Sequence, residues 1–360
     1  MASITDRNRD GWIDYRDGAS DGYDYINGTH ANNVIFAYDG DDNIYAHGGD
    51  DVIKGGGGHD DITGGVGADY IFGDAGVDTA SYLGSAGGVW VDLASGQGFF
   101  NEAQGDVLNG IENLTGSQHG DMLMGDDGAN FLRGFNGNDV LKGGGGADYL
   151  RGDYGDDTLQ GGAGADYLVG NFGNDTLDGG ADDDVLDAGD GNDTMSGGTG
   201  NDIYYADGGD VLIEAADAGF DVVYAYTKNF TLTDHIEVLS LVEGTFGTGN
   251  AQANTIFGNG GDNVLNGAGG SDALSGLGGN DTFVFKAGEA HGDVVYEFNG
   301  NGGGIGDVLQ FVGYGTIAQG ATFHQLTSTV WEIGSADGTV RDIITLVGAP
   351  TIDASDFVFV

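Results

Sequence analysis

Between residues 143 and 169 the chain reads GGGGADYLR, GDYGDDTLQ, GGAGADYLV. Gly stands first and fourth in each nine-residue unit, Asp sixth and Leu eighth. A fixed period of this length constrains the fold more than any local propensity does. Each unit carries one large apolar side chain at its eighth position and cannot bury it alone, so successive units must stack.

The frame runs through three blocks. In the first, residues 19–81, the sixth positions are Asp24, Asn33, Asp42, Asp51, Asp60, Asp69 and Asp78, and the eighth positions run from Ile26 to Ala80. In the second, residues 116–205, the sixth positions are Asp121, Asn130, Asp139, Asp148, Asp157, Asp166, Asp175, Asp184, Asp193 and Asp202. Leu fills the eighth position there until Met195 and Tyr204. The third block, residues 249–284, is short, with Asn254, Asn263, Asp272 and Asp281 at position six. The last three residues of each unit read as a short strand with position eight turned inward. Gly at positions one and four permits positive φ and close backbone approach in a tight turn.

Gly supplies 75 of 360 residues and Pro only 1, which excludes collagen. Acids outnumber bases 58 to 10, a net charge of −48. Nucleic acid and anionic membranes are therefore excluded as partners, since both require a basic surface. Turns stacked at strand spacing lie ~4.8 Å apart. Two like charges at that distance repel by ~1 kcal/mol in water and by a few at an effective dielectric of ~20. Summed over a ladder, that exceeds the usual net stability of ~5–15 kcal/mol. The acids need a counter-cation, and a carboxylate at position six can reach one held by turn carbonyls. Hard cations such as calcium take six to eight oxygen ligands. There is no Cys, so disulfides and thiolate metal sites are absent.

These units resemble the RTX (repeats-in-toxin) nonapeptide, G-G-x-G-x-D-x-U-x, with hemolysin-type calcium-binding repeats. The resemblance implies an all-β fold of parallel β-roll blocks, two nonapeptides to a turn. It also implies multiple Ca2+ ions between stacked turns, held by the sixth-position Asp and by turn carbonyls. Alternate units then stack, with Asp139, Asp157, Asp175 and Asp193 on one edge and Asp148, Asp166, Asp184 and Asp202 on the other. The implied calcium ligands are Asp24, Asp42, Asp51, Asp60, Asp69, Asp78, these eight, Asp272 and Asp281. Some units depart from the pattern. Ala31, His119, Asp182 and Gln252 replace the fourth Gly, and Asn33, Asn130, Asn254 and Asn263 replace the acid. Sites at block edges and in most of block three are weakened accordingly.

Residues 1–18 carry a second calcium signature, with Asp6, Asn8, Asp10, Asp14 and Asp17 at ligand spacing and the Trp12 carbonyl at position seven. It resembles an EF-hand or dockerin-type loop but ends on Asp rather than Glu. The spacers 82–115 and 206–248 break the period with strand-like stretches and join, cap or merely connect the rolls. Residues 285–360 alternate apolar and polar side chains between Gly/Asn turns, as in antiparallel β structure. The ending DFVFV resembles the uncleaved C-terminal signal of type I secreted RTX proteins. Asp293, Glu297 and Asp307 read as solvated acids, with a further calcium site as the alternative.

No catalytic motif emerges. No His pair forms H-E-x-x-H, and the formal G-x-S-x-G at residues 18–22 lacks a preceding apolar strand and a following helix. The N-terminus has no apolar run of a secretory signal peptide, and no segment approaches the ~20 apolar residues of a membrane span. The expected protein is a secreted, calcium-dependent β-roll without enzymatic activity, exported by a type I secretion machinery. It would serve as an extracellular scaffold, surface-layer, matrix or adhesive component, with a polysaccharide or surface partner. The alternative is the secretion and folding portion of a larger RTX exoenzyme (protease, lipase or polysaccharide-modifying).

Overall fold

The computed structural model describes residue 5 and residues 12–13, 19–300, 306–349 and 351–360. The chain divides into two compact units, Met1–Ser196 and Gly197–Val360. Both are parallel β-solenoids, and the only helical turns among the described residues are Asn101–Ala103 and Ile317–Gln319.

In the first unit each coil takes 18 residues, two nonapeptides, and lays one strand on each of two sheets. Val34–Asp39, Val52–Gly58 and Tyr70–Gly76 stack in parallel on one sheet, with Val34 opposite Val52 and Val52 opposite Tyr70. Tyr25–Asn27, Asn43–Tyr45, Asp61–Thr63 and Thr79–Ser81 form the other. Because the offset is constant, identical positions lie above one another. Ile26, Ile44, Ile62 and Ala80 form one buried column, and Leu141, Leu159 and Leu177 form part of another. The outward seventh positions Phe131, Tyr149 and Tyr167 stack their rings 5.1 and 5.2 Å apart.

The break in period at residues 82–115 does not break the solenoid. Asn113–Thr115 pairs in parallel with both Thr79–Ser81 and Phe131–Asn136, so Leu114 continues the inner column between Ala80 and Leu132. On the opposite sheet the inserted residues add three strands. Val107–Asn109 stacks on Tyr70–Gly76, Gln97–Phe99 runs antiparallel beside it, and Trp90–Asp92 carries the sheet on to Met122–Met124.

The second unit follows the same rule with looser spacing. Ile203–Ala206, Val222–Ala225, Val238–Leu241, Thr255–Phe257, Ala273–Ser275 and Val294–Tyr296 stack in parallel, so residues 206–248 are coils rather than connectors. The antiparallel expectation for residues 285–360 holds only for Thr322–Gln325, Val330–Gly334 and Arg341–Val347. Val308–Val312 and Phe357–Phe359 instead extend a parallel sheet from Thr282–Lys286. The DFVFV ending is thus a closing strand. Its Phe359 ring lies 4.9 Å from Phe311, inside an aromatic cluster that includes Phe323 and Tyr314. No helix among the described residues is long and apolar enough to cross a membrane.

The glycine requirement differs from the expected one. Position four is left-handed as anticipated (Gly146 at φ 99°, Gly164 at 118°), but so is position two (Gly144 at 109°, Gly162 at 115°). Position one has little room for a side chain and, where it is not Gly, is Ala, as at Ala37, Ala46 and Ala188. A Cβ on Gly152 would lie 2.1 Å from Asp157 Oδ2.

The inner columns make a testable demand. Leu159 is fully buried between Leu141 and Leu177, so Leu159→Ala should cost about 2–5 kcal/mol, read from urea denaturation in calcium. The same change at exposed Leu326 should fall within about 0.5 kcal/mol.

Candidate metal centre

The sixth-position acids are the buried polar ladder of the solenoid. Asp42, Asp51, Asp69 and Asp78 have no exposed surface, and Asp60, Asp139, Asp157, Asp166 and Asp175 have almost none. One carboxylate oxygen of each has a fixed partner. The Asp42 N–H donates to Asp60 Oδ1 at 2.9 Å, that of Asp139 to Asp157 Oδ1 at 2.8 Å, and that of Asp157 to Asp175 Oδ1 at 2.8 Å. Each acid therefore ties its coil to the coil before it.

The second oxygen is different. Oδ2 of Asp42, Asp51, Asp60, Asp69, Asp78, Asp139, Asp148, Asp157, Asp166, Asp175 and Asp272 is buried and receives no hydrogen bond. An orphaned buried carboxylate oxygen is costly, because it loses water without replacement. A carbonyl converges on the same spot. A Cβ on Gly161 would meet Asp166 Oδ2 at 2.3 Å and the Gly179 carbonyl at 2.6 Å, and one on Gly143 would meet Asp148 Oδ2 at 2.1 Å and the Gly161 carbonyl at 2.7 Å. An all-oxygen set with a bare anionic oxygen fits a hard cation of the calcium type. The electrostatics agree. Burial pushes the carboxyls of Asp42 and Asp51 up to about 7, Asp139 to about 8, and Asp60, Asp69, Asp148, Asp157 and Asp175 to about 6.

Not every rung is open. At the first rung of each ladder the position-two N–H fills the place. Ser20 N–H donates to Asp24 Oδ2 at 2.7 Å and Ser117 N–H to Asp121 Oδ2 at 2.6 Å. The amides of Thr29, Asp126, Asn250 and Asn259 donate likewise to Oδ1 of Asn33, Asn130, Asn254 and Asn263, at 2.7–2.8 Å. Three of these Asn side chains also give an N–H to a carbonyl of the preceding coil: Asn130 to Glu112, Asn254 to Ile236, and Asn263 to Gly244. In the open rungs position two is left-handed, as at Tyr38, His47, Phe135, Asp153 and Ala268. In the closed rungs it is not. Asp24, grouped with the cation ligands on spacing alone, thus stands in a closed rung, its second oxygen already taken by a backbone amide.

The ladder also recruits acids that the nine-residue frame misses. Asp69 N–H donates to Asp106, Asp78 N–H to Glu112, Asp202 N–H to Asp221 and Asp221 N–H to Glu237. Asp272 and Asp281 donate in the same way to Asp293 and Asp307, 21 and 26 residues on. Asp293 and Asp307 are therefore buried ladder members rather than solvated acids, and only Glu297 is exposed. At Asp106 a phenol takes the cation's place, since Tyr82 Oη donates to Oδ2 at 3.0 Å. Their shared signal in the sequence was weak: an acid directly before an apolar strand, without the nine-residue spacing. Of the remaining expected ligands, Asp184, Asp193, Asp202 and Asp281 occupy ladder positions with buried side chains. Asp6, Asn8, Asp10, Asp14 and Asp17 lie outside the described residues. Trp12 belongs to the two-residue strand Trp12–Ile13, which pairs with Val34 and Ile35.

The sequence pattern of the RTX calcium-binding nonapeptide repeat matches residues 19–53, 45–80, 115–150, 142–177, 151–186, 178–213 and 248–283, more than half of the chain. The chain belongs to this family of calcium-binding repeat proteins. No curated protein matches the chain. Among solved structures, the extracellular lipase LipA from Serratia marcescens is similar at 18% identity and a TM-score of 0.18. That similarity covers 99% of this chain, which spans 42% of the length of the lipase chain.

The open and closed rungs should behave differently. Asp24→Asn preserves the acceptor for Ser20, as Asn33 does for Thr29, and should leave the number of bound calcium ions unchanged in native mass spectrometry. Asp157→Asn replaces the orphaned oxygen with an amide and should lower the count by at least one.

Proposed function

We propose that this chain is a secreted protein whose solenoid folds on calcium outside the cell. The observation that supports this most directly is the row of buried, unpartnered Oδ2 atoms along both ladders of the first unit. Without a cation these rungs place like charges a strand spacing apart in a poorly solvated interior. In a calcium-poor cytosol that repulsion holds the chain open and exportable. At extracellular calcium the ions fill the rungs, and their binding free energy becomes folding free energy. The calcium-binding loop at residues 6–17 adds a further ion. The export signal lies in residues 285–360, read by a type I secretion machinery. The role outside the cell is that of a scaffold, surface-layer, matrix or adhesive component, without catalysis of its own.

Far-UV circular dichroism during a calcium titration tests this reading. A coil-like spectrum should become a β spectrum cooperatively at roughly 0.1–1 mM calcium, and magnesium should not substitute. A full β spectrum under exhaustive chelation at neutral pH would overturn the calcium switch.

The raised carboxyl pKa values predict a second, metal-free route to the same fold. A buried Asp held at about 6–8 keeps its proton where an unfolded Asp, near 3.9, has lost it. The native state then binds more protons than the unfolded state, so metal-free stability rises as pH falls from about 8 towards about 4. In chelator, β signal should therefore grow on acidification through that window. In saturating calcium the carboxylates are already neutralised, and protons compete with the ions instead. Apparent calcium affinity should fall over the same range, read as a rise in the titration midpoint.

A further inference from the structure

The opening coil of the second unit departs from the repeat. Its inward position-eight residue is Tyr204, fully buried, where the second block otherwise carries Leu or Met. The phenol oxygen reaches back to the turn, accepts the Gly197 N–H at 2.5 Å and is hydrogen-bonded to Glu214. Glu214 follows the short strand Val211–Leu212, in the segment where the nine-residue period is lost. It brings a third carboxylate to a rung that already holds Asp202 and Asp221. Oxygens of all three acids lie within 4.8 Å of one another, and no other group of three acids or imidazoles is as tight among the described residues. Asp221 supplies an independent pointer to a ligand. It has no exposed surface, its Oδ1 accepts the Asp202 N–H at 2.9 Å, and its Oδ2 is buried without a partner.

We infer that Asp202, Glu214 and Asp221 form a cation site at an irregular rung, richer in carboxylates than the ordinary repeat rungs, suited to a hard di- or trivalent cation and filled before them. Oxygens this close can all touch one ion at the ~2.3–2.6 Å bond lengths of calcium. An ordinary open rung offers one bare carboxylate oxygen among carbonyls, whereas this one gathers three carboxylates, and affinity for such ions rises with ligand charge. Burial, with Glu214, Asp202 and Glu237 nearby, pushes the Asp221 carboxyl up to about 7. Gly197 leaves room for the set, since a Cβ there would lie 2.1 Å from Asp202 Oδ2 and 2.6 Å from the Tyr204 hydroxyl. Tyr204 is the positioning residue. It holds Glu214 by hydrogen bond and places a phenol ring beside the ion. The order of filling rests on the reading that the repeat rungs take calcium, whereas the site itself does not.

The probe is terbium, added to the full chain with excitation of tyrosine, alongside native mass spectrometry of the calcium-loaded protein. The first equivalent of terbium should give sensitised emission. Glu214→Gln keeps an acceptor for Tyr204 but removes the charge, and should weaken the first step at least tenfold while later steps persist. Tyr204→Phe should keep most of the first-step affinity but lose most of its emission. Asp157→Asn should lose an interior calcium ion and leave the first terbium step intact. An unchanged first step in Glu214→Gln would overturn the assignment. If that variant failed to form its β spectrum in calcium, Tyr204→Phe would decide, and unchanged emission would overturn the assignment. A wild-type chain that binds one terbium ion tightly but shows no calcium-driven change in its β spectrum would sink the calcium-folding reading and leave this site standing.

Discussion

One carboxylate oxygen per half-coil governs this molecule. At open rungs of the first unit such as Asp42, Asp60, Asp157 and Asp166, Oδ1 is tied to a backbone N–H of the neighbouring coil, while Oδ2 is sealed from water without a partner. The pairing holds the coils in register, and the orphan leaves each open rung with a buried acceptor to satisfy. A single such oxygen costs free energy of the order of 1–3 kcal/mol or more. Repeated over the open rungs, it becomes comparable to the whole stability of a domain. The glycine pattern follows from it. At position one the oxygen faces the Cα, which favours Gly, with only the small Ala in its place at Ala37, Ala46 and Ala188. Position two turns left-handed in the same coils that leave the oxygen bare.

A ladder of orphans also needs ends, and the chain makes them from ordinary hydrogen bonds. At each first rung a position-two amide donates to the sixth-position side chain, and at four of the six rungs that residue is Asn rather than Asp. The exchange is chemically apt. An amide side chain carries no charge to neutralise and brings an N–H for a carbonyl of the preceding coil, as Asn130 does for Glu112. Where an acid must be kept, a phenol can stand in for the ion, as Tyr82 does at Asp106. Open and closed rungs are thus two solutions to the same problem of a buried polar atom, one depending on the medium and one built into the chain.

Much of this was legible in the nonapeptide. Its period placed the strands, the buried columns through Ile26 and Leu141, and the pairing of acids 18 residues apart such as Asp139 with Asp157. What it concealed lay where the period fails. Asp106, Glu112, Asp221, Glu237, Asp293 and Asp307 join the ladder at spacings of 37, 34, 19, 16, 21 and 26 residues, so a fixed frame steps over them. The left-handed turn at position two was hidden as well, because Tyr38, His47, Phe135 and Asp153 occupy it as readily as Gly. There the stacking of coils overrides the local preference against positive φ. The closed rungs were marked only by Asn at position six, which a pattern reader takes for a weakened site rather than a finished one.

The irregular coils show which constraints the fold enforces. From Tyr70–Gly76 to Val107–Asn109 the chain takes 37 residues instead of 18, yet Leu108 still pairs with Ile71 and Asp106 still receives the Asp69 amide. Only the acid, the inward apolar residue two positions later and the strand between them are held in place. The intervening chain varies at low cost, since loop closure grows only slowly with length. Departures from the repeat can therefore accumulate in the loops without loss of the solenoid. That freedom is what lets the Tyr204 coil gather a third acid, Glu214, from outside the repeat.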